Sequence, residues 1–401
     1  MTAIAAGSEE AASTLDPALA ERCRVVLEAS HAEGDRRGVP YSYTRPSPSR
    51  YPWQWYWDSC FAAIVWRRFD PARSRVELES LLNAMRPDGF IGHVVFWDQP
   101  LSFKRLVYYN VTSRHAEMTG TIQPPLLAWA WRIAVGDPAE EPRIATHHKW
   151  LRSNRDLEGD GLLWLVQPDE SGLDSSPKFD PVWGRLKHGG YGFPLLVARN
   201  RHLGWDARRI RDRGWPVLCE VMTNVLWGLA RIAAGEPSIT PALVDRLWDE
   251  PTGLFLDEVQ PGGARPAIST WAALSPLALP DLPEEIGHRL VREHLLDPKR
   301  YWLPNPPPSV SAAEPTFEPN RGPGWKLRYW RGPTWINAAW MLSLGLRRLG
   351  YNSEAALMTE RLSGLVLREG LREYYDPFTG EGLGARDFAW TSLILEMADP
   401  R

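Results

Sequence analysis

Apolar residues recur along this chain at steps of three and four, which is the spacing of a helix with one buried face. The clearest run covers 73–86, and Asp70 followed by Pro71 supplies a helix start just before it. The same pattern predicts about twelve helices. They cover residues 19–32, 56–69, 73–86, 121–135, 141–155, 215–234, 241–250, 268–278, 284–297, 333–349, 353–369 and 387–398.

Four helix ends share one layout, in which an apolar end with arginine meets a turn residue and then a new helix. They lie at 66–74, 131–139, 229–238 and 346–354. This turn chemistry is that of short corners between helices. The spacing of the four is irregular, which argues against an open solenoid with a fixed period.

Long segments rich in proline, glycine and tryptophan separate the other helices. They cover 34–55, 87–120, 156–214 and 298–332. Loops of this length in a compact protein are usually functional. Strand signals are few and short, such as LLWLV at 162–166.

Short corners at one end and long loops at the other predict an all-α toroid of six helix pairs, an (α/α)6 barrel with its site at one mouth. No break in composition marks a domain boundary. We therefore predict a single domain over 1–401, in which the loops 34–55, 87–120 and 156–214 form a pocket and a lid.

The composition excludes several classes of partner. The 401 residues carry a net charge of -3, which offers no basic field to nucleic acid. No apolar run reaches the length of a membrane span, and the N-terminus lacks the basic start of a secretory signal. Cys23, Cys60 and Cys219 have neither metal nor disulfide spacing. We predict a cytoplasmic protein with no cofactor, no metal, no nucleic-acid partner and no membrane partner, and leave assembly into a homo-oligomer open.

Tryptophan is the unusual component, with 21 residues in the chain. Most tryptophans are expected to fill the core, but many of these fall in the polar loops. An aromatic face in a loop offers the C–H bonds of a sugar ring an apolar partner and leaves the hydroxyl groups free. A small carbohydrate is therefore a candidate ligand.

The first carboxylate cluster is PDESGLDSSPKFD at 168–180. Hydrolysis of a glycosidic bond needs two carboxyl groups, one to protonate the leaving oxygen and one to activate water or attack the sugar. The candidates in this loop are Asp169, Glu170, Asp174 and Asp180. Asp174 is favoured because Gly172 allows a sharp turn beside it. Helix capping or binding of backbone amides is the alternative role for these acids.

The second cluster is LREYYDPFTGEGLGARDFAW at 371–390. Its candidate acids are Glu373, Asp376, Glu381 and Asp387. Asp376 begins the turn sequence DPFTG, and Asp387 is predicted to cap the last helix. Glu373 has no evident local role, so we pair it with Asp174.

Two aromatic stretches supply candidate substrate contacts. In YPWQWYWDSCF, Asp58 either caps the following helix or accepts hydrogen bonds from sugar hydroxyls while Trp55 or Trp57 stacks on the ring.

In YWRGPTWIN, Arg331 lies at a helix start, where a cation is unfavourable unless it binds something. Tyr329 and Trp335 add aromatic surface beside it.

Together these stretches resemble glycoside hydrolase family 63 and the related family 37 trehalases. The matching blocks follow the order of the family and are YPWQWYWDSCF at 51–61, TGTIQPP at 119–125, ESGLDSSP at 170–177, YWRGPTWIN at 329–337 and EYYDPFTGEGLGARDFAWTSL at 373–393. They are spread over most of the chain, and five in order are far more specific than one. The resemblance implies an (α/α)6 barrel and inverting hydrolysis of an α-glycosidic bond.

By motif position, the resemblance implies that Asp174 is the general acid and Glu373 the general base. It also implies a substrate pocket that contains Trp55, Trp57, Asp58, Gln123, Arg331 and Trp335. Inversion requires a separation of about 6.5–9.5 Å between the two carboxyl groups, which leaves room for a water molecule.

The short chain and its start at 43–61 are most similar to the bacterial mannosylglycerate and glucosylglycerate hydrolases of that family. The implied substrate is a small α-linked glucoside or mannoside, hydrolysed to the sugar and glycerate. The carboxylate of such a substrate needs a cation or several donors. Candidates are Tyr51, Arg45, Gln123 and Tyr329.

Three other functions stay open at this point. One is a general α-glucosidase or trehalase of the same fold. Another is a sugar epimerase that uses paired histidines, for which His93 and His115 are available. The third is a carbohydrate-binding protein without catalysis. His93 with Trp97 either marks a lid over the sugar or serves packing.

Overall fold

Helices dominate the computed structural model, which describes residues 15–97, 101–112, 117–186, 191–319 and 329–400. In chain order the helices are α1 Pro17–Ser30, α2 Tyr56–Trp66, α3 Pro71–Ala84, α4 Phe103–Tyr108, α5 Leu127–Ala134, α6 Pro142–Arg155, α7 Asp180–Trp183, α8 Phe193–His202, α9 Ala207–Asp212, α10 Val221–Ala233, α11 Thr240–Leu247, α12 Glu284–Arg289, α13 Ile336–Arg348, α14 Asn352–Glu369 and α15 Ile394–Ala398. Tighter 3₁₀ turns include Pro168–Ser171, Trp271–Ala278 and Ala389–Leu393, and a π-helical stretch, Leu290–Leu295, extends α12.

The strands are short and form small antiparallel sheets. They are β1 His31–Arg36, β2 Val39–Thr44, β3 Gln54–Trp55, β4 Val94–Val95, β5 Trp164–Leu165, β6 Val217–Cys219, β7 Trp248–Asp249, β8 Leu254–Phe255, β9 Glu258–Gln260, β10 Arg372–Tyr375 and β11 Gly382–Arg386. The pairs are β1 with β2, β3 with β4, β5 with β6, β6 with β9, β7 with β8, and β10 with β11. The predicted strand signal at 162–166 is confirmed by β5.

Each of the twelve predicted helical segments contains a helix, and the segment 268–278 is helical in the 3₁₀ form. The predicted start of α3 is also confirmed, because the Asp70 side chain accepts hydrogen bonds from the backbone N–H groups of Ala72 and Arg73. Local capping chemistry therefore marks the start of this helix.

The long loops hold more structure than the sequence pattern predicts. The hairpin β1–β2 overlaps the loop 34–55, and α8 and α9 lie inside the loop 156–214. The hairpin turns at Arg37 and Gly38, both with positive φ. Arginine is not a typical residue for such a turn, which usually has Asn or Asp before Gly, so the sequence signal was weak.

Six buried segments contact one another in cyclic order. The order is α2, α5, α10, Trp271–Ala278, α13 and Ala389–Leu393, and the last of these contacts α2 again. Further helices pack on five of the six: α3 on α2, α11 on α10, Leu290–Leu295 on Trp271–Ala278, α14 on α13, and α1 on Ala389–Leu393.

Burial distinguishes the inner segments from the outer ones. Every residue of α2 and of Trp271–Ala278 is buried, as expected for a helix covered on all sides. The outer helix α14 buries one stripe with steps of three and four, formed by Ala355, Met358, Thr359, Leu362, Leu365 and Val366. The core therefore lies between and around the six inner segments.

The four corner motifs all join an inner helix to the next outer one, as predicted. They connect α2 to α3, α5 to α6, α10 to α11, and α13 to α14. Gly235 and Gly350 end their helices with φ of 70° and 84°, a conformation that glycine adopts without steric cost. The loops that lead back into the inner segments are the long ones, and they carry the candidate site residues.

A buried ion pair fixes two of these loops to each other. Arg155 donates to both oxygens of the Glu170 carboxylate, at 2.6 and 2.7 Å. The same carboxylate accepts the backbone N–H groups of Ile122 at 3.1 Å and Val166 at 2.8 Å. Glu170 therefore holds the segment before Gln123 against the turn that leads to Asp174.

Replacing Glu170 by alanine is expected to lower the free energy of unfolding by about 3–5 kcal/mol, because it leaves the Arg155 charge buried without its partner. Urea denaturation measures this loss. The matched control is Glu158→Ala, which breaks a partly exposed pair with Arg211 and should cost less than about 1 kcal/mol. Equal losses in the two variants would contradict the structural role of Glu170.

Candidate active site

Glu373 lies on β10 and is almost completely buried, with its carboxylate held by uncharged donors. Tyr329 donates to Oε1 at 2.6 Å and Tyr51 to the same oxygen at 3.0 Å. The backbone N–H of Ala385, on β11, donates to Oε2 at 2.8 Å. Three separated loops therefore meet at this carboxylate.

Burial raises the pKa of Glu373 above its usual value. The hydrogen bonds from Tyr329 and Ala385, the charge of Arg50 and the hydroxyl of Tyr51 oppose this rise. Hydrogen bonds from uncharged groups replace the water around a buried carboxylate. Such donors lower its pKa less than a directly bound cation would, so the carboxylate can still accept a proton.

Three of the four acids in the first cluster are occupied by structural contacts. Asp169 accepts from the side chains of Asn110 and Gln167 at 2.8 and 2.6 Å, and Glu170 is paired with Arg155. Asp180 forms a two-point ion pair with Arg331, at 3.2 and 3.0 Å.

Asp174 lies between these acids in the chain, in a tight turn, and its side chain is partly exposed. The turn depends on Gly172, whose φ is 71° and whose Cα faces the Trp57 ring. It closes with the bond from the Ser176 N–H to the Leu173 carbonyl, at 2.7 Å.

Burial raises the pKa of Asp174 to about 7, and the charge of Glu373 adds to this rise, while a backbone hydrogen bond opposes it. The same interaction shows that the two carboxyl groups lie within electrostatic range of each other. The pKa of Tyr329 is raised by burial and by the charges of Glu373 and Asp174, so Tyr329 lies within range of both carboxyl groups.

The residues around this pair include most of the predicted pocket. The Gln123 Oε1 accepts the Trp57 backbone N–H at 3.0 Å, and its Nε2 has no hydrogen bond to any residue that the structure describes. Trp55 is half-buried, with its ring edge-to-face against Tyr51 at 5.7 Å.

Asp58 is buried in the first turn of α2, and burial together with the Glu373 charge raises its pKa well above the usual value. The N-cap of α2 is Trp55, so Asp58 is not the capping residue.

The other two predicted tryptophans, Trp57 and Trp335, belong to the hydrophobic core. Trp57 is 2% exposed and Trp335 is fully buried. Trp335 stacks on Trp330 with centroids 3.7 Å apart, and Trp57 meets Trp390 edge-to-face at 5.2 Å. Their rings are covered by protein, so they do not offer a free stacking face to a ligand.

Arg331 does bind something, as its place in the sequence suggested, but its described partners are protein groups. Besides the pair with Asp180, its guanidinium donates to the Ser175 carbonyl at 3.1 Å. It therefore fixes the residue next to Asp174. Arg45 is likewise occupied, by the backbone carbonyls of Ala29, Ser30 and His31.

The remaining predictions for the second cluster have mixed outcomes. Asp376 has the predicted turn role, since its Oδ1 accepts from Phe378 and Thr379, both at 2.8 Å. The prediction that Asp387 caps the last helix is wrong. Asp387 is exposed with φ of 50°, and the N-cap of the final helical segment is Phe388, without a side-chain hydrogen bond.

The histidine and lid predictions find partial answers. His93 is buried against the Trp55 ring, with centroids 5.0 Å apart, whereas His115 lies outside the described residues. Trp97 stacks on Tyr41 at 4.7 Å and donates to the Gln54 side chain at 2.8 Å. These contacts favour packing for Trp97.

Sequence reasoning missed two contributors to the site. The Ala385 N–H is a backbone donor, which no side-chain pattern can reveal. Arg50 is the other, and its only sequence signal was its place directly before Tyr51. Gly384 also matters, because its Cα lies so close to Glu373 that an added Cβ would meet Oε2 at 2.6 Å.

Neither a metal-ligand cluster nor a membrane-spanning helix occurs among the residues that the structure describes. No group of three or more His, Cys, Asp or Glu residues there could hold a metal ion. The three cysteines are buried and unpaired by disulfides. Among the described residues, no helix combines the length and apolar character needed to cross a membrane.

The chain is similar to known glycoside hydrolases over most of its length. The model of one protein family, described as the mannosylglycerate hydrolase MGH1-like glycoside hydrolase domain, matches residues 51–391. The mannosylglycerate hydrolase of Rubrobacter radiotolerans is 30% identical over 418 residues, with 88% of this chain and 92% of that protein covered. The glucosylglycerate hydrolase of Mycolicibacterium hassiacum is 25% identical over 432 residues, with 88% and 93% covered.

The fold is also similar to that of solved structures. The crystal structure of the family 63 mannosylglycerate hydrolase from Thermus thermophilus in complex with glucose has a TM-score of 0.78 and 29% identity. The comparison covers 95% of this chain and 99% of that one.

Replacing Gly172 by alanine tests the turn beside Asp174. The new Cβ would lie 2.6 Å from the Trp57 ring, so we expect overpacking to cost about 1–3 kcal/mol beyond the strain of a positive φ. Gly159→Ala is the matched control, because Gly159 has φ of 78° and open space around it. Chemical denaturation of both variants isolates the clash, and an equal loss in both would contradict it.

Proposed function

The chain belongs to the mannosylglycerate hydrolase MGH1-like family of glycoside hydrolases, within family 63, and from that premise we propose that it is an inverting α-glycosidase. Its substrate in this proposal is a small α-linked glucoside or mannoside of glycerate, and its products are the free sugar and glycerate. The observation that carries the proposal is the pair formed by Asp174 and Glu373. Each belongs to a loop that leads toward the inner segments, and the other acids of the first cluster are occupied elsewhere.

Asp174 is the general acid. A pKa of about 7 keeps much of its carboxyl group protonated at neutral pH, so it can give a proton to the glycosidic oxygen as the C–O bond breaks. Glycerate then leaves with a neutral hydroxyl group in place of an alkoxide.

Glu373 is the general base. A carboxylate has about four lone-pair sites, and Tyr329, Tyr51 and the Ala385 N–H occupy three of them. The remaining site can accept a proton from water as that water attacks the anomeric carbon from the face opposite Asp174. The product sugar then has the inverted configuration.

The substrate contacts come from the residues with unused groups. Gln123 offers its Nε2, Trp55 offers a half-buried ring, and Tyr51 and Tyr329 line the base. Asp58 accepts from sugar hydroxyls deep in the pocket, where burial has raised its pKa. Arg331, Trp57 and Trp335 act on the substrate indirectly, because their described contacts are with protein.

For the scaffold, we propose that the cyclic order of inner segments is an (α/α)6 barrel and that the chain forms one catalytic domain. The support is the cyclic order of contacts, the full burial of α2 and Trp271–Ala278, and the long loops before the inner helices. The loops within 34–55, 87–120 and 156–214 surround the pocket in this proposal. Action in the cytoplasm stays a prediction from the sequence.

Glucose and mannose are the two candidate sugars, and the curated relatives include hydrolases named for each. A general α-glucosidase or trehalase would instead accept sugar aglycones. Rates of release from glucosylglycerate, mannosylglycerate, trehalose and kojibiose separate these functions. We expect the two glycerate substrates to be preferred, and activity only on longer oligosaccharides would contradict the proposal.

The product anomer tests the inverting mechanism. We expect proton NMR to detect the β-anomer of the sugar first when the α-linked substrate is hydrolysed, before mutarotation equilibrates the two forms. First appearance of the α-anomer would contradict the assignment of Glu373 as a base.

The pH dependence tests the acid. Asp174 must be protonated, so kcat/KM should fall as the pH rises through about 7, and Glu373 must be ionised, so kcat/KM should also fall as the pH drops through its raised pKa. The pH profile of kcat/KM should be bell-shaped, and its two apparent pKa values belong to the coupled pair of carboxyl groups. A flat profile between pH 7 and 9 would contradict the role of Asp174.

The variants Asp174→Asn and Glu373→Gln separate the two roles. Asp174→Asn should lose about 10²–10⁴-fold in kcat on a glycerate substrate, but much less on a glycosyl fluoride, whose leaving group needs no proton. Glu373→Gln should be slow on both substrates. Equal losses of the Asp174 variant on both substrates would contradict its role as the acid.

A further inference from the structure

Arg50 is a cation near Glu373 that lies over the ring of Tyr51. It is exposed, and its guanidinium has neither an ion pair nor a hydrogen bond with any residue in the described ranges. Its Cζ lies 5.5 Å from the centroid of the Tyr51 ring. The Tyr51 hydroxyl in turn donates to the Glu373 carboxylate, so Arg50 stands on the outer side of the residue that touches the base.

The electrostatic field of Arg50 reaches both halves of the site. Partial burial disfavours its charge, but Tyr51, Glu373, Tyr329 and Tyr374 raise its pKa. Tyr109 senses both Asp174 and Arg50. Arg50 is thus close enough to Glu373 for their charges to interact, and Tyr109 lies within range of both Arg50 and Asp174.

Three other cations that the structure describes in these loops are occupied. Arg331 is paired with Asp180, Arg45 is held by backbone carbonyls, and Lys178 is buried with Glu220 and Asp257. Glu373, which is ionised in the proposed mechanism, gives the site a negative charge. This charge would repel an anionic substrate unless a cation compensates.

We propose that Arg50 binds the carboxylate of the aglycone and so makes the enzyme prefer an acidic aglycone over a neutral one. This inference rests on the proposed function and names the residue that recognises the negative charge of the aglycone. A guanidinium can donate two parallel hydrogen bonds to a carboxylate. Because the side chain is exposed, it can reach the aglycone without disturbing Tyr51 or Glu373.

The test compares two substrates that differ only in charge. Glucosylglycerate carries a carboxylate where glucosylglycerol carries a neutral CH₂OH group. For Arg50→Gln we expect KM to rise about ten- to hundredfold on glucosylglycerate, with kcat changed less than about threefold. On glucosylglycerol KM should stay close to that of the wild type, and kcat should change by the same small factor as on glucosylglycerate, because loss of the Arg50 charge acts on Glu373 whichever substrate is bound. Arg50→Lys should recover part of the loss, since lysine keeps the positive charge but cannot donate two parallel hydrogen bonds.

Three controls accompany the variant. Arg213→Gln removes an exposed cation at the C-terminal end of α9 and should leave both substrates unaffected. The wild-type KM for glucosylglycerate should rise with salt concentration, whereas that of Arg50→Gln should respond less. Thermal melting verifies that each variant is folded, and exposure of Arg50 predicts melting temperatures close to that of the wild type.

The outcomes are distinguishable. If the wild type hydrolyses both substrates and Arg50→Gln weakens both equally, or neither, the role of Arg50 is wrong while the proposed function stands. If the wild type hydrolyses neither glucosylglycerate nor mannosylglycerate, the proposed substrate class fails and the role of Arg50 fails with it.

Discussion

A buried carboxylate held by uncharged donors is the constraint on which this structure depends. Glu373 accepts hydrogen bonds from Tyr51, Tyr329 and the Ala385 N–H, which come from the start, the last third and the end of the chain. Moving a carboxylate out of water is costly unless such donors replace its hydration. The loops before three inner segments must therefore meet at one point, and the cyclic order of those segments brings them there.

The proposed chemistry depends on the different surroundings of two carboxyl groups. Glu373 has several donors and the nearby charge of Arg50, which favour its ionised form against burial. Asp174 lies in a tight turn, and burial together with the Glu373 charge favours its protonated form. Two carboxyl groups whose environments separate their protonation states are what acid and base catalysis requires. The turn that contains Asp174 is held on both sides. The ion pair of Arg155 with Glu170 fixes the chain before it, and the hydrogen bond from Arg331 to the Ser175 carbonyl fixes the chain after it.

The sequence could predict what depends on local chemistry. Helical spacing located the helical segments, capping chemistry placed the start of α3, and a turn sequence identified Asp376 as structural, leaving Glu373. It could not choose between Asp174 and its neighbours by spacing alone, because Asp169, Glu170 and Asp180 find partners far away in the chain. Arg50, the burial of Trp335 and the error at Asp387 are likewise results of tertiary contacts. The family resemblance supplied the catalytic pair that spacing alone left ambiguous.

The central claim is that a water molecule works between Glu373 and the sugar while Asp174 acts from the other face. A crystal structure of Asp174→Asn with an intact glycerate substrate measures this geometry. The account predicts a separation of about 6.5–9.5 Å between the Glu373 carboxyl group and the side-chain terminus at position 174, with a water held by Glu373 at the anomeric carbon. A separation of about 5–5.5 Å, with the Glu373 oxygen itself against the anomeric carbon, would contradict it.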